Sequence, residues 1–262
     1  MNRSTWITKA ITAGAVLLLL LIWHVGAVLL DARVLLPEPG TTVSALVHLI
    51  RQRPFSLQIL ATIGRAVRSF LIILIIGGSL GVLAGISTRV HAFLVPVLVI
   101  GKATPVMSGI LLAFIWFSSG TVPLFSAFLM GFPVMFVQME QGVRQISPQL
   151  HEMTVAYRFS PLQRLIHFII PSLIPSIITG AKASLSMVWK VVIAAEVLTV
   201  PRYGVGSRMQ LAQVNLDTAE VLAWTLIAVL LTAVGDMVFI GLLRIPSGIR
   251  KRRSKGRQGG TV

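Results

Sequence analysis

Residues 147–175, SPQLHEMTVAYRFSPLQRLIHFIIPSLIP, form a polar and cationic segment between two strongly apolar blocks of the chain. The segment contains two Ser-Pro pairs, Ser147-Pro148 and Ser160-Pro161. A serine hydroxyl accepts hydrogen bonds from the free amides at a helix start, and proline suits the first helical position. The pattern therefore predicts two short helices within this segment.

The second of these predicted helices is amphipathic. Its apolar side chains recur at helical spacing on one face and its polar side chains lie opposite: Leu162, Leu165, Ile166 and Ile169 against Gln163, Arg164 and His167. A helix with this pattern lies along a membrane surface or docks on a partner protein.

The composition of the whole chain indicates a membrane protein. Hydrophobic residues make up 55% of the 262 residues and charged residues only 12%, about half of the roughly 25% that is usual in soluble domains. The formal net charge of +15 then marks cytoplasmic loops and contact with anionic lipid headgroups, so we expect no nucleic-acid partner. There is no cysteine, and the five histidines are too scattered to predict a metal site.

Six apolar stretches are long enough to cross a membrane as helices. They cover about residues 10–30, 63–86, 93–116, 123–139, 174–200 and 221–243. The sequence therefore predicts an all-α polytopic membrane protein in which residues 1–262 form one domain.

The distribution of basic residues predicts the orientation of these spans. The segments assigned to the inner side hold thirteen Lys and Arg residues, and those assigned to the outer side hold five. Lys and Arg concentrate in cytoplasmic loops. We therefore expect residues 1–9, 146–170 and 244–262 to be cytoplasmic, and the basic 244–262 tail to be disordered and bound to headgroups.

The second span carries Gly77, Gly81 and Gly85, one small residue every four positions. This spacing places the three glycines on one helical face, where another backbone can approach closely. The partner is either another helix of the same subunit or a second copy of the chain, and the pattern does not choose between them.

Three residues within the spans are candidates for a translocation pathway: Lys190, Glu196 and Pro105. An ionisable group at mid-membrane costs about 2.5–3.5 kcal/mol on insertion scales, so such side chains face the bundle interior, a partner subunit or water. For Lys190, structural pairing or snorkelling is the alternative. Pro105 predicts a kink in the third span.

The 147–175 segment resembles the EAA loop of ABC importer permeases. Glu152 matches the glutamate of that motif, and Pro171 and Pro175 match its two prolines. The motif differs at Arg158, where the family has glycine, and at residues 153–154, where it has small residues.

The similarity extends to residues 36–39, 105–117, 189–197 and 204–206. Together they resemble the nitrate, sulfonate and taurine branch of the type I ABC importers, which includes importers of thiamine precursors or riboflavin. The resemblance implies a permease fold like that of the methionine importer.

The resemblance also implies partners. Two permease copies, forming a homodimer in the inner membrane, would work with two copies of a cytoplasmic ATP-binding subunit and with an extracytoplasmic substrate-binding protein. The residues expected to couple to the ATPase are Glu152, Ala156, Tyr157, Arg158, Ser160 and Pro161. The chain has no phosphate-binding loop, so we expect no catalytic residue, no cofactor and no ATP site of its own.

Two other functions would leave different patterns in the sequence. An ion-coupled secondary transporter usually carries buried carboxylates along its spans, and a membrane enzyme needs clustered histidines or carboxylates near one interface. Neither pattern is evident, and the sequence leaves the transported solute open.

Overall fold

The computed structural model describes residues 3–30, 35–147, 153, 157 and 159–255, and these residues contain helices but no β-strand. The α-helices are α1 (Arg3–Leu30), α2 (Pro39–Arg51), α3 (Phe55–Ile72), α4 (Gly78–Ile86), α5 (Thr88–Ala103), α6 (Val106–Trp116), α7 (Val122–Arg144), α8 (Pro161–Arg164), α9 (Ile170–Thr199), α10 (Val205–Val214) and α11 (Thr218–Lys255). Two π-helical segments, Ile73–Gly77 and Leu165–Ile169, join α3 to α4 and α8 to α9.

Five helical stretches in the described part of the chain are long and apolar enough to cross a membrane. They are Ala10–Leu30, Phe55–Ile86, Val122–Arg144, Leu162–Thr199 and Thr218–Leu242. A sixth candidate is the pair α5 and α6, which bend by 106° at the break between them. The chain is therefore a multi-pass membrane protein.

The bent pair crosses from one end of the bundle to the other. At the start of α5, His91 contacts Glu140 near the end of α7. Beyond the end of α6, Gly120 lies just before the start of α7, and its carbonyl accepts a hydrogen bond from Arg65 of α3. Because α7 runs from this second end to the first, α5 and α6 together form one broken span, which agrees with the six predicted spans.

The break lies where Pro105 predicts a kink. Thr104 and Pro105 have extended backbone angles, so the break is sharper than a kink within one helix. Proline has no amide hydrogen to continue the ladder of α5, and its fixed φ suits the residue before α6.

The core of the subunit lies between α7 and α9. These two helices run antiparallel, and the main buried cluster draws on both of them and on α3, with Ile73, Met135, Leu173, Val188 and Trp189 among its members. Lipid tails are as apolar as these side chains, so close packing holds the helices together rather than exclusion from water.

The glycine stripe of the second span packs inside the subunit, against α7. A Cβ atom on Gly81 would lie 2.6 Å from the carbonyl oxygen of Phe136, and one on Gly85 would lie 2.5 Å from Cβ of Val143. Of the two partners that the spacing allows, the structure shows the helix of the same subunit.

Several boundaries differ from the predicted ones. The second span begins at Phe55 rather than near residue 63, and α5 begins at Thr88, within the predicted loop. The predicted outer loop between the last two spans contains the helix α10. Polar residues such as Gln58 and Thr62 made the helix start look like a loop, but both are buried and hydrogen-bonded.

The second short helix predicted within residues 146–170 is not separate. It continues through the π-helical segment Leu165–Ile169 into α9, so one helical stretch covers residues 161–199. Pro171 provides no amide hydrogen for the carbonyl of residue 167, and the helix accommodates this with a π turn just before the proline.

The two ends of the chain differ in their contacts. Helix α1 is exposed along most of its length, and its Trp23 indole donates to the carbonyl of Pro37 (3.1 Å). At the other end, the backbone of α11 is helical as far as Lys255.

We predict that Gly81→Ala destabilises the subunit. The added methyl group would overlap the backbone of α7 and force the two helices apart, at a cost of about 1–3 kcal/mol. Thermal unfolding of the purified protein in detergent measures this loss. Gly64→Ala in α3 is the matched control, because a Cβ there meets nothing within 4 Å, and equal stability of the two variants would contradict the packing.

Candidate functional site

The segment that resembles the EAA loop follows α7 at one end of the bundle, which we call the inner end because the basic residues predict it to be cytoplasmic. Of its predicted coupling residues, Glu152, Ala156 and Arg158 lie outside the described residues. Tyr157 is described, and its side chain is 74% exposed. Its amide donates to the carbonyl of Met153 (3.0 Å), a hydrogen bond of helical type that agrees with the first predicted short helix.

Ser160 and Pro161 begin α8 as the Ser-Pro pair predicts. The amide of Ser160 donates to Oε1 of Gln163 (2.9 Å), and the amide of Gln163 donates to Oγ of Ser160 (3.3 Å). This reciprocal capping satisfies two amides that a helix start leaves free. Leu162, on the apolar face of the predicted helix, is 65% exposed, whereas Ile169 packs on the core.

The opposite, outer end is held by a buried ion pair. Nη1 of Arg65 lies 2.5 Å from Oε1 of Glu196 and also donates to the carbonyl of Tyr203 (2.8 Å), while Nε donates to the carbonyl of Gly120 (3.2 Å). One guanidinium thus connects α3, α9 and two outer loops. We define this ion pair and its hydrogen-bond partners, described next, as the outer brace.

Polar groups of α3 complete the outer brace. Thr62 donates from its hydroxyl to the carboxylate of Glu196 (2.9 Å) and accepts from the amide of Val205 (2.9 Å). Gln58 accepts from the amide of Gly204 (2.7 Å), and Glu196 accepts from the amide of Gly206 (3.0 Å). A buried carboxylate requires this degree of pairing.

The two glycines at 204 and 206 allow this loop to lie directly on α9. A Cβ on Gly204 would lie 2.7 Å from the Glu196 carboxylate, and one on Gly206 would lie 2.3 Å from the carbonyl oxygen of Ile193. The sequence singled out Glu196 and both glycines by resemblance, and the structure brings the three together.

Glu196 therefore lies inside the subunit. Its side chain is fully buried and its oxygens are occupied by Arg65, Thr62 and Gly206. No face of this carboxylate is open to a solute, so the structure argues against the predicted pathway contact and favours a structural role.

Lys190 lies on the outside of α9 and is exposed. It borders a groove of about 610 Å³ between α9, α10 and α11, whose other lining residues are apolar except for Thr225 and Thr232. Lys182, two turns earlier, borders a smaller pocket with Ser186 and Asp236, where the Ser186 hydroxyl donates to Asp236 (3.1 Å).

The inner end carries a second charged cluster. Oε1 of Glu140 lies 2.6 Å from Nδ1 of His91 and 2.6 Å from a terminal nitrogen of Arg144. Glu140 is nearly buried, whereas Arg144 is half exposed. The cluster connects the start of α5 to the last turn of α7, directly before residues 146–170.

Pro105 is exposed at the break between α5 and α6, and Lys102 lies one turn before it. Lys102 lines two cavities of about 350 Å³ each, one toward Glu140 and one beside Thr104 and Val106. The sequence pattern did not predict a role for Lys102. The charge complementarity of Arg65 with Glu196, and of Arg144 with Glu140, was present in the sequence but was not used to pair them.

In the described part of the chain, no group of three or more His, Asp or Glu side chains converges on one point.

We predict that breaking the buried ion pair destabilises the protein more than replacing both partners. Arg65→Met or Glu196→Met alone leaves one uncompensated buried charge, which costs about 3–5 kcal/mol, whereas an apolar pair avoids that charge. The double variant should thus lose less stability than the two single variants lose in sum. Thermal unfolding in detergent measures these losses.

The control for this pair is Arg68→Met, because Arg68 is exposed one turn further along α3. Its loss should cost less than about 1 kcal/mol. Strictly additive losses in the double variant would show that Arg65 and Glu196 do not interact.

The comparison with known proteins involves the same residues. Residues 73–246 match the family described as the binding-protein-dependent transport system inner membrane component. The putative aliphatic sulfonates transport permease protein SsuC of Bacillus subtilis is 28% identical over 225 residues, which cover 85% of this chain and 80% of SsuC.

Two further relatives carry other substrate names. The taurine transport system permease protein TauC of Escherichia coli is 26% identical over 220 residues, covering 81% of this chain and 80% of TauC. The bicarbonate transport system permease protein CmpB of Synechococcus elongatus is 26% identical over 150 residues, covering 57% of this chain and 54% of CmpB.

These matches confirm the resemblance and the branch inferred from the sequence motifs. The family match includes the broken span, α7, the 147–175 segment, α9 and the Gly204–Gly206 loop. The chain therefore belongs to the binding-protein-dependent transport system inner membrane components and is a permease subunit of an ATP-binding-cassette importer.

Proposed function

We propose that two copies of this chain form one translocation pathway in the inner membrane. In each copy, residues 146–170 dock on a separate cytoplasmic subunit that binds and hydrolyses ATP. An external binding protein delivers the solute to the outer side. Permeases of this family work with an ATPase and a substrate-binding protein, and the stoichiometry and the contact residues are our proposal.

The proposal rests on the position at which residues 146–170 join the bundle. They link the end of α7 directly to the stretch that leads into α9. These two helices are in close contact near their inner ends, where a Cβ on Gly142 would lie 2.3 Å from Oγ of Ser176. A displacement of this segment would thus move both helices together, because tightly packed helices shift as units.

The residues proposed for the ATPase contact differ in role. Glu152 anchors the first short helix, and Ala156 and Tyr157 pack on the ATPase. The large exposure of Tyr157 supports this, because an aromatic side chain on the surface is a frequent anchor of protein interfaces. Arg158, Ser160 and Pro161 complete the proposed contact with the ATPase.

A second copy of the chain is supported by the cavities. Both cavities at Lys102 open on the surface of the subunit rather than inside it. A solute moving along such a surface needs a second wall to separate it from lipid, and a homodimer supplies that wall by symmetry.

The proposed solute is a small molecule with an anionic group. The relatives are named for aliphatic sulfonates, taurine and bicarbonate, and another for nitrate. An ion-coupled secondary transporter is disfavoured, because the carboxylate of Glu196 is occupied by Arg65 and Asp236 accepts from Ser186.

We expect both termini in the cytoplasm. The two charged clusters of the structure define the ends of the bundle, with the His91 cluster at the end that leads into residues 146–170. The excess of Lys and Arg assigned to that end supports its inner placement.

We predict that Tyr157→Cys crosslinks to the cytoplasmic ATPase subunit. The chain has no cysteine, so the single thiol reports one position. Ser118→Cys in the exposed turn after α6 is the control and should not crosslink.

A membrane-impermeant thiol reagent should label Ser118→Cys in spheroplasts and Tyr157→Cys only in inverted vesicles; the reverse labelling would overturn the orientation.

We predict that Glu152→Lys abolishes coupling while the permease still folds. The substitution reverses a charge at the proposed contact, which disfavours association. The measurements are copurification with the ATPase subunit and ATP-dependent uptake in proteoliposomes. Glu38→Lys at the start of α2, at the other end of the subunit, is the charge-matched control; normal uptake by Glu152→Lys would remove Glu152 from the mechanism.

A further inference from the structure

Two cavities meet at Lys102. The first is lined by Lys102 together with His91, Leu98, Val137, Glu140 and Arg144. The second is lined by Lys102 together with Gly101, Thr104, Val137, Pro133 and Gln138. Because they share Lys102 and Val137, they form one groove along α5 and α7, from the inner charged cluster to the break between α5 and α6. We define this as the Lys102 groove.

The position of Lys102 along the span makes its charge costly. At 1.5 Å per residue, Lys102 lies about 21 Å along α5 from the inner end of the helix at Thr88. An ammonium group at this depth requires water, a partner or an anion. Among the described residues Lys102 forms no ion pair, and the nearby carboxylate of Glu140 is already in contact with His91 and Arg144.

The other two lysines within the spans have different surroundings. Lys182 borders the pocket that contains the carboxylate of Asp236, a local source of compensating charge. Lys190 borders an almost wholly apolar groove. Lys102 alone of the three lies in a groove that also presents the amides of Gln138 and Gln141 and the guanidinium of Arg144.

We propose that the ammonium group of Lys102 binds the anionic group of the solute in the translocation pathway and thereby selects anions. This inference rests on the proposed function, namely that the pathway carries a small anion between two copies of the chain. The Lys102 groove is one wall of that pathway, and the break at Thr104 and Pro105 lies at the end of the groove away from the inner charged cluster.

Arg144 provides the next position toward the cytoplasm. It lies seven residues beyond Val137 on α7, about 10 Å along the helix, and it lines the inner part of the same groove. The carboxylate of Glu140 forms an ion pair with Arg144 and so offsets part of the positive charge of Arg144. An anion therefore meets an uncompensated cation at Lys102 and a partly compensated one at Arg144, which favours release toward the inner end.

The test uses the complete importer, reconstituted in proteoliposomes with its ATPase subunit and binding protein. The probes are labelled nitrate, bicarbonate, taurine and ethanesulfonate. With whichever probe the wild type moves, Lys102→Met should lower the maximal uptake rate about tenfold or more, as expected when one charge-assisted contact is lost. Lys102→Arg should keep a larger share of the rate than Lys102→Met.

Lys182→Met is the matched control and should transport within about twofold of the wild type, because a surface substitution away from the contact has a small effect. ATP hydrolysis stimulated by the binding protein should persist in Lys102→Met, because the proposed role is in solute contact and not in coupling. Uptake by Lys102→Met at the wild-type rate would overturn the proposal.

A charge-restoring variant separates this role from a folding defect. Lys102→Cys introduces the only thiol of the chain, and it should lose uptake as Lys102→Met does. Reaction of the isolated permease with an aminoethyl methanethiosulfonate restores a cation and should restore uptake after assembly, whereas the neutral methyl reagent should not. Equal results with the two reagents would overturn the role of the charge.

The outcomes also separate this inference from the proposed function. If the wild type hydrolyses ATP with its partners but moves none of the four anions, the proposed solute class is wrong and the role of Lys102 is overturned with it. If the wild type and Lys102→Met move the same anion equally, the proposed function stands and only the assignment of Lys102 is wrong.

Discussion

The buried pair of Arg65 and Glu196 is the constraint on which the rest of the structure depends. A fully buried carboxylate inside a membrane protein is unstable unless its charge and its lone pairs are satisfied. This structure satisfies them with a guanidinium from α3, a hydroxyl from the same helix and a loop amide. The same contacts position the 200–206 loop and the turn after α6, so that these two outer segments are held at one point.

Glycine residues allow three helices of the bundle to pack closely. Helices α4, α7 and α9 approach closely because glycine occupies the contact positions, as at Gly81 against Phe136 and Gly142 against Ser176. Each of these contacts is stiff, since neither helix can slide past the other without a clash. The outer end is thus braced and the inner ends of α7 and α9 are coupled, which fits the proposed docking of residues 146–170 on an ATPase subunit.

The sequence by itself determined the class of the protein. Hydropathy predicted six spans. The Ser-Pro pair at Ser160-Pro161 predicted the start of α8, and Pro105 predicted a kink in the third span. The motif residues identified the family. These features were accessible because each depends on neighbouring residues alone: helix capping, the missing amide of proline and the length of an apolar run are local properties.

Only the tertiary structure decided which polar residues act together. Spacing allowed the Gly77–Gly85 stripe to face either a partner subunit or α7, and contacts across the bundle decided it. Glu196 and Lys190 looked alike as charges in one helix, yet one is buried against Arg65, 131 positions away in the chain, and the other is exposed. The reason is physical: the cost of a charge in a membrane depends on what lies across from it, and the partner comes from another helix.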